Sequence, residues 1–332
     1  MSPQQTTFKF HNVAEILRLP DPVWIIDKLI TKGSFAVLFG PPGVGKSFLA
    51  LAWAFAVAAE KPWQDRKVNG GPVVYVAAEG FGGLKLRVAA LLHHERLGAD
   101  VNCKFLDCPV DLMNSEKTLA FIKDIQSSVP KPALIIIDTL ARCFVGGEEN
   151  SAKDMGLFIH GVETVKRETG ATVLVIHHTG KNESSGARGS SALMGAADTM
   201  ISCGGDMGLL DITCKKQKDA EEFKKISLSS RTVKLENGQS SLVLVPFDDV
   251  INAMVCKGDT TTKKIMEILD KLGADGAANT EWKKACKGEG ITPETFNRRL
   301  KDLKSAKLVE KDGDGQGARY RLVKSEPVSV SG

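Results

Sequence analysis

Short apolar runs alternate with helix-period stretches from Gly33 to about Phe247. "SFAVLFG" runs into a glycine-rich turn, and "SFLALAWAFAVAAE" then supplies good helix formers throughout. "GPVVYVAAEG" predicts the next strand and "GGLKLRVAALLHHERLG" the next helix. "KFLDCPVDL" reads as a third strand, before the helical "SEKTLAFIKDIQSS". "PALIIIDTL", the helical "AKDMGLFIHGVETVKRETG" and "ATVLVIHHTG" complete the series. "ALIIID" and "TVLVIHH" are apolar on both faces, as strands covered by helices on each side must be. The alternation predicts an α/β fold with a doubly wound, mainly parallel sheet.

After Asp198 the texture changes to "TMISCGG", "GLLDITCKKQK", "KKISLSSRTVKLE" and "SSLVLVPFD". These alternating strands, joined by Gly, Asn and Asp turns, predict an antiparallel extension of the same sheet. The periodicity weakens in "DVINAMVCKGDTTT", where residues 251–260 are expected to form a linker. Beyond it, "TTKKIMEILDKLG", "NTEWKKACKGEG" and "TPETFNRRLKDLKSAKL" read as three helices, and "VEKDGDGQGARYRLV" as two strands around a Gly/Asp-rich tip. Thr292 before Pro293 is a cap residue ahead of a proline at the first helical position. Three helices and a hairpin follow the order of a winged helix. The expected organisation is a large domain with an N-terminal lead-in over 1–250, a winged-helix domain over 261–324, and a tail over 325–332.

Composition narrows the class. Over 332 residues, 42% hydrophobic and 25% charged positions allow a sizeable core and argue against wholesale disorder. The net charge of +4 selects no partner by itself. Seven scattered cysteines without a C-x-x-C pair suit a reduced cytoplasmic setting better than a disulfide framework or a zinc site. The N-terminus lacks a signal-peptide pattern. No run of about 18 apolar residues occurs, so no membrane partner is expected.

The stretch from Gly40 to Phe48, "GPPGVGKSF", fits the phosphate-binding pattern G-x-x-x-x-G-K-[ST]. It follows an apolar strand and opens a helix, as that pattern requires. Gly40, Pro41, Pro42, Gly43, Val44 and Gly45 would turn backbone N–H groups toward phosphates, with Phe48 closing the segment. Lys46 would reach the β and γ phosphates, and the Ser47 hydroxyl would ligate Mg2+. Asp138 ends "LIIID" at the sheet edge where ligands bind, and either holds the magnesium or caps the next segment. Glu79, ending "VVYVAAE", either activates a water for attack on the γ-phosphate or is a solvated strand end. His177 and His178 close a third strand, where one is expected to sense the γ-phosphate and the other to pack.

"KNESSGARGSSALMGAAD" is a Gly/Ser-rich loop offering Lys181 and Arg188 to nucleic acid, unless it is an ordinary connection. Lys215, Lys216 and Lys218 in "CKKQKD" are either a solvated turn or cations for a neighbouring subunit's nucleotide. Arg142, Glu148, Glu149 and Asn150 sit in a loop after Asp138, with metal, subunit and solvent roles all open.

Taken in order, "GPPGVGKS", "YVAAEG", "LIIIDTLAR", "GGEENSAKDM", "VLVIHHTGK" and "ARGSSAL…AAD" resemble the RecA-fold ATPases of the RepA-type replicative helicases. These belong to plasmids and phages and lie near the DnaB-like hexameric helicases. The match covers roughly residues 20 to 250. The resemblance implies a homo-oligomeric ring, a hexamer, that hydrolyses ATP between subunits and moves along single-stranded DNA. It implies Lys46 and Ser47 at phosphate and magnesium, Glu79 as base, Asp138 at magnesium and His178 as γ-phosphate sensor. Relatives often place Lys-x-Arg where this chain has "CKKQKD", so the trans-acting finger falls to Lys218 first and Lys216 second.

From Lys257 to Lys324 there are 16 Lys and Arg against 11 Asp and Glu. The excess suits a DNA-binding face with Arg298 and Arg299 on the third helix. A protein-docking winged helix is the alternative. For the whole chain, a replicative ATPase with helicase activity is expected. Its rivals are a RecA-like recombination or remodelling ATPase without unwinding, and an ATP-gated DNA-binding regulator.

Overall fold

The computed structural model describes residues 10–179, 191–205, 209–247, 260–273, 276–305, 308–313 and 318–322. The chain divides into two compact units, Met1–Asp206 with Leu210–Leu244, and Met207–Leu209 with Val245–Gly332. Among the described residues no helix is long and apolar enough to cross a membrane.

The first unit begins with a short exposed helix α1 (Val13–Ile16), closed by a capping box between Asn12 and Glu15. A small antiparallel pair follows, β1 (Trp24–Ile26) and β2 (Ile30–Thr31). Then come β3 (Phe35–Gly40), α2 (Lys46–Ala58), β4 (Val73–Ala77), a 3₁₀ turn (Phe81–Gly83), α3 (Leu84–Glu95) and β5 (Cys103–Leu106). Next are α4 (Ser115–Ser128), β6 (Leu134–Asp138), α5 (Leu140–Cys143), α6 (Ala152–Thr169) and β7 (Thr172–His178). The series ends with α7 (Ser191–Ala196), β8 (Thr199–Gly204), β9 (Leu209–Gln217), β10 (Ile226–Lys234) and β11 (Ser240–Pro246).

One nine-stranded sheet has the order β11-β10-β9-β8-β3-β7-β6-β4-β5. From β8 through β5 every neighbouring pair is parallel. This corrects one expectation. The run "TMISCG" was expected to open the antiparallel extension, yet β8 pairs parallel to β3, and the reversal begins where β9 meets β8. The physical reason is the helix α7 ahead of β8, since a helical crossover returns the chain in the same direction. Strands β3, β4 and β6 are buried at every position, which explains why they read as continuous apolar runs. On one face Phe121, Ile122, Phe158, Val162 and Val165 of α4 and α6 form a core with Val37, Ile135, Ile137 and Val173. Their helices start on side-chain caps: Asn114 accepts from Glu116 and Lys117 N–H, and Ser151 from Asp154 N–H.

The second unit contains α8 (Thr260–Lys271), β12 (Ala277–Ala278), α9 (Asn279–Gly288), α10 (Pro293–Ser305), β13 (Val309–Asp312) and β14 (Arg319–Leu322). Its sheet has the order β12-β14-β13, antiparallel throughout. Trp282 is fully buried, edge-on to Phe296 at 5.1 Å, and its indole N–H donates to the Ile265 carbonyl at 3.0 Å. Ile265, Leu269, Leu300 and Leu303 complete this core. Thr292 Oγ1 accepts from Thr295 N–H at 3.3 Å and starts α10. The two-residue strand β12 was not expected, because Ala-Ala carries no strand propensity and pairs only through its backbone. The expected linker 251–260 lies outside the described residues apart from Thr260, which opens α8.

Candidate functional site

The parallel register places the C-terminal ends of four strands along one edge. Gly40 of β3 stands beside His178 of β7, and Asp138 of β6 beside Ala77 of β4. Ligands gather at such an edge because the loops leave the strands there and helix N-termini point toward it. The loop after β3 starts at Gly40, where an added Cβ would collide with the Cys203 carbonyl of β8. It ends at Gly45, which precedes α2 at a φ of +106° that disfavours any other residue.

Lys46 is only 4% exposed. Its ammonium donates to Gly40 O at 2.8 Å and Pro41 O at 2.7 Å, and lies 3.0 Å from His178 Nδ1. An ammonium has no acceptor, so Nδ1 accepts and the imidazole proton sits on Nε2. Among the described residues no carboxylate pairs with Lys46. Burial pulls its ammonium below the ordinary lysine range, opposed by the charges of Cys203, Asp138 and Glu79. His178 is also drawn down, first by burial and then by the Lys46 ammonium, so it is neutral at pH 7.

Asp138, likewise 4% exposed, is the complementary case. Burial pushes its carboxyl up, while hydrogen bonds from Tyr75 and Ser47 and the charge of Arg87 pull it back. Tyr75 donates its hydroxyl to Asp138 Oδ2 at 2.7 Å from a fully buried position on β4. Burial also raises the Tyr75 phenol well above its ordinary value, so it remains a donor.

Strand β4 stops at Ala77, so Glu79 lies two residues beyond the strand rather than ending it. It is exposed, and Thr139 Oγ1 donates to its Oε2 at 3.3 Å. Glu79, Asp138, His178, Gly43, Gly45, Lys46, Ser47 and Phe48 line a single cleft. Pro41 contributes a carbonyl to Lys46, and Pro42 and Val44 complete the turn. Sequence reasoning missed three further lining residues, Gly80, Arg87 and Thr139. Arg87 lies in α3 with its guanidinium 5.3 Å from the Phe48 ring centre. Its only sequence signal is position: α3 begins five residues after Glu79, so its first turns are carried to the same edge.

The oxygen set of Ser47 and Asp138 suits a hard cation such as Mg2+, which prefers a hydroxyl, a carboxylate and waters. The cleft therefore combines a buried cation for phosphate, an oxygen pair for a divalent ion and an exposed carboxylate facing both. Residues 4–184 match the family pattern described as an AAA domain. The chain belongs to this AAA-domain family. That membership and the cleft together support ATP binding and an ATPase activity for the AAA domain. Among solved structures the chain is similar to one titled "ATPase Domain of G40P". The two are 13% identical over 64% of this chain and 86% of the other, with a TM-score of 0.48.

The remaining expected residues lie elsewhere. Lys218 follows β9 and is tied to Asp198, by its N–H to the carbonyl at 3.0 Å and by its ammonium to Oδ1 at 3.5 Å. Asp198 Oδ2 in turn accepts from Phe35 N–H at 2.9 Å, at the start of β3. Lys218 thus stands at the sheet edge opposite the AAA domain's own cleft. Lys216 donates to the Met194 and Gly195 carbonyls at 2.8 and 2.9 Å, closing the last turn of α7. Lys181 and Arg188 fall outside the described residues. In the second unit Arg298 is exposed on α10, whereas Arg299 of the same helix is half-buried and 3.4 Å from Asp302. α10 turns every fourth residue toward the Trp282–Phe296 core, and Arg299 lies on the flank of that stripe.

Proposed function

We propose that this chain is an ATP-dependent DNA helicase or translocase of the RepA-type branch, hydrolysing ATP between subunits of a ring. One observation carries the ATP reading. A nearly buried ammonium and a nearly buried carboxylate face the same cleft, and burial pushes each toward neutrality without an ion pair to relieve it. A magnesium nucleotide supplies the missing countercharge to both.

In this reading Lys46 turns from the loop carbonyls to the β and γ phosphates, and the N–H groups from Gly43 to Ser47 cradle them. Ser47 and Asp138 would hold Mg2+, which supplies neutralisation of phosphate charge. Glu79 orients the attacking water and accepts its proton. The neutral His178, with its proton on Nε2, donates to the γ-phosphate and registers its loss. The exposed Lys218 at the opposite edge supports a role on the nucleotide of a neighbouring copy, because no phosphate in its own cleft is within reach. The second unit, three helices and a three-stranded sheet, would act as a winged helix on DNA through Arg298 and its neighbours. Plasmid, phage or mobile-element replication is the setting this reading assigns.

The test combines native mass spectrometry with strand displacement. The expected result is a ring, hexameric in mass, whose ATP turnover rises with single-stranded DNA and which separates a forked duplex. A monomer whose turnover ignores single-stranded DNA overturns the proposal.

A further inference from the structure

Sequence reasoning overlooked one cation of the cleft. Arg87 is half-buried on α3 and lines the cleft with Lys46, Glu79 and Asp138. Among the described residues no carboxylate or carbonyl accepts from its guanidinium. The Phe48 ring holds it from one side at 5.3 Å. Its planar fork lies beside Gly80 and Gly83, where an added Cβ would stand 3.6 and 3.3 Å from a terminal nitrogen. The two glycines thus border the guanidinium at close to van der Waals distance. A half-buried arginine with free N–H groups, a flat aromatic support and no anion of its own is organised for an anion that arrives from solution.

Which phosphate it meets follows from the wall it occupies. Glu79 precedes Gly80, so Arg87 lines the cleft beside the carboxylate to which the reading above gives the attacking water. The Arg87 charge also reaches Asp138 and Tyr75, so it stands near the magnesium side of the cleft. We infer that Arg87 is a phosphate ligand acting within its own subunit, recognising the terminal phosphate of a nucleoside triphosphate and so separating triphosphate from diphosphate. This rests on the nucleotide reading above and adds a residue to it.

Equilibrium binding of the full chain in magnesium decides both matters separately. Wild type should bind ADP and a non-hydrolysable ATP analogue. Failure to bind either removes the nucleotide reading and the inference with it. In Arg87→Ala the analogue should bind about ten- to a hundredfold more weakly, as expected for charge-assisted hydrogen bonds lost to one phosphate. ADP affinity should stay within about twofold. Arg87→Lys should recover part of the analogue affinity, because it keeps the charge and loses the fork. Equal loss for both nucleotides would make Arg87 a prop for the Glu79 loop, and no loss for either would leave it a surface cation. Both outcomes overturn the inference. Phe48→Leu keeps the charge and removes the ring, and it should weaken the analogue selectively by a smaller factor. Unchanged selectivity there would refute the role given to the ring.

Discussion

Replacing Lys46 by Met separates what the ammonium does for the fold from what it does for phosphate. The side chain is 4% exposed, so methionine retains most of the stem's packing and removes the charge. Three acceptors lose their donor: Gly40 O at 2.8 Å, Pro41 O at 2.7 Å and His178 Nδ1 at 3.0 Å. Hydrogen bonds to a charged group contribute about 1.5–3 kcal/mol each. Against this stands the desolvation of a buried ammonium, several kcal/mol per ion, which the variant no longer bears. The two terms nearly cancel, and the expected change in unfolding free energy is within about 2 kcal/mol of zero. The pH dependence carries a sign. With the folded pKa below the ordinary 10.5, the penalty is full at neutral pH and is relieved as pH rises from the folded value toward 10.5. Wild type should therefore gain stability relative to Lys46→Met in alkaline urea titrations. Nucleotide affinity, in contrast, should fall at least about a hundredfold, since the phosphate loses its buried cation. A loss of more than about 4 kcal/mol in the urea midpoint analysis at neutral pH would show that Lys46 is chiefly a strut for the loop. ATP turnover near the wild-type rate would refute the site itself.

The other site residues make distinct signatures. Glu79→Gln should bind ATP normally and hydrolyse it about a hundred- to ten-thousandfold more slowly in steady-state assays; turnover within a few-fold would move the base to Glu148 or Glu149. Wild-type turnover should fall on an acid limb lying below pH 6.5, because burial and Lys46 hold the His178 pKa under that value. His178→Gln should flatten the limb and lose stimulation by single-stranded DNA more than basal hydrolysis, and an unchanged limb would place the titration elsewhere. Arg298→Ala should flatten the log–log salt dependence of DNA binding by about one unit. Arg299→Ala, already committed to Asp302, should change that slope less and lower stability instead, and equal slopes would contradict the burial difference.

Much of the architecture was legible because buried parallel strands announce themselves as apolar runs and the phosphate loop has a fixed spacing. The positions of Asp138 and His178 at strand ends were legible for the same reason, since a polar residue closing an apolar run must emerge at the sheet edge, and Glu79 follows its strand by two residues onto that edge. What escaped depended on tertiary placement. Arg87 sits in the middle of a helix, and nothing in "LKLRVAALL" separates it from a solvated arginine. The Tyr75–Asp138 bond crosses between strands distant in sequence. The direction of β8 depends on a crossover, and the burial of Arg299 on a difference of one helical position.

Two glycines of the phosphate loop are constrained for different reasons. At Gly40 the obstacle is the Cys203 carbonyl, which leaves no room for even a methyl group. At Gly43 there is space, with nothing within 4 Å of an added Cβ, and the obstacle is a φ of +75°. Over evolutionary drift the first position is closed to every side chain unless β8 itself shifts. The second stays open to asparagine or aspartate, which tolerate the left-handed region. Variation within one short motif therefore follows two separate rules, one of volume and one of torsion, and only the first ties the loop's history to a strand more than 160 residues away.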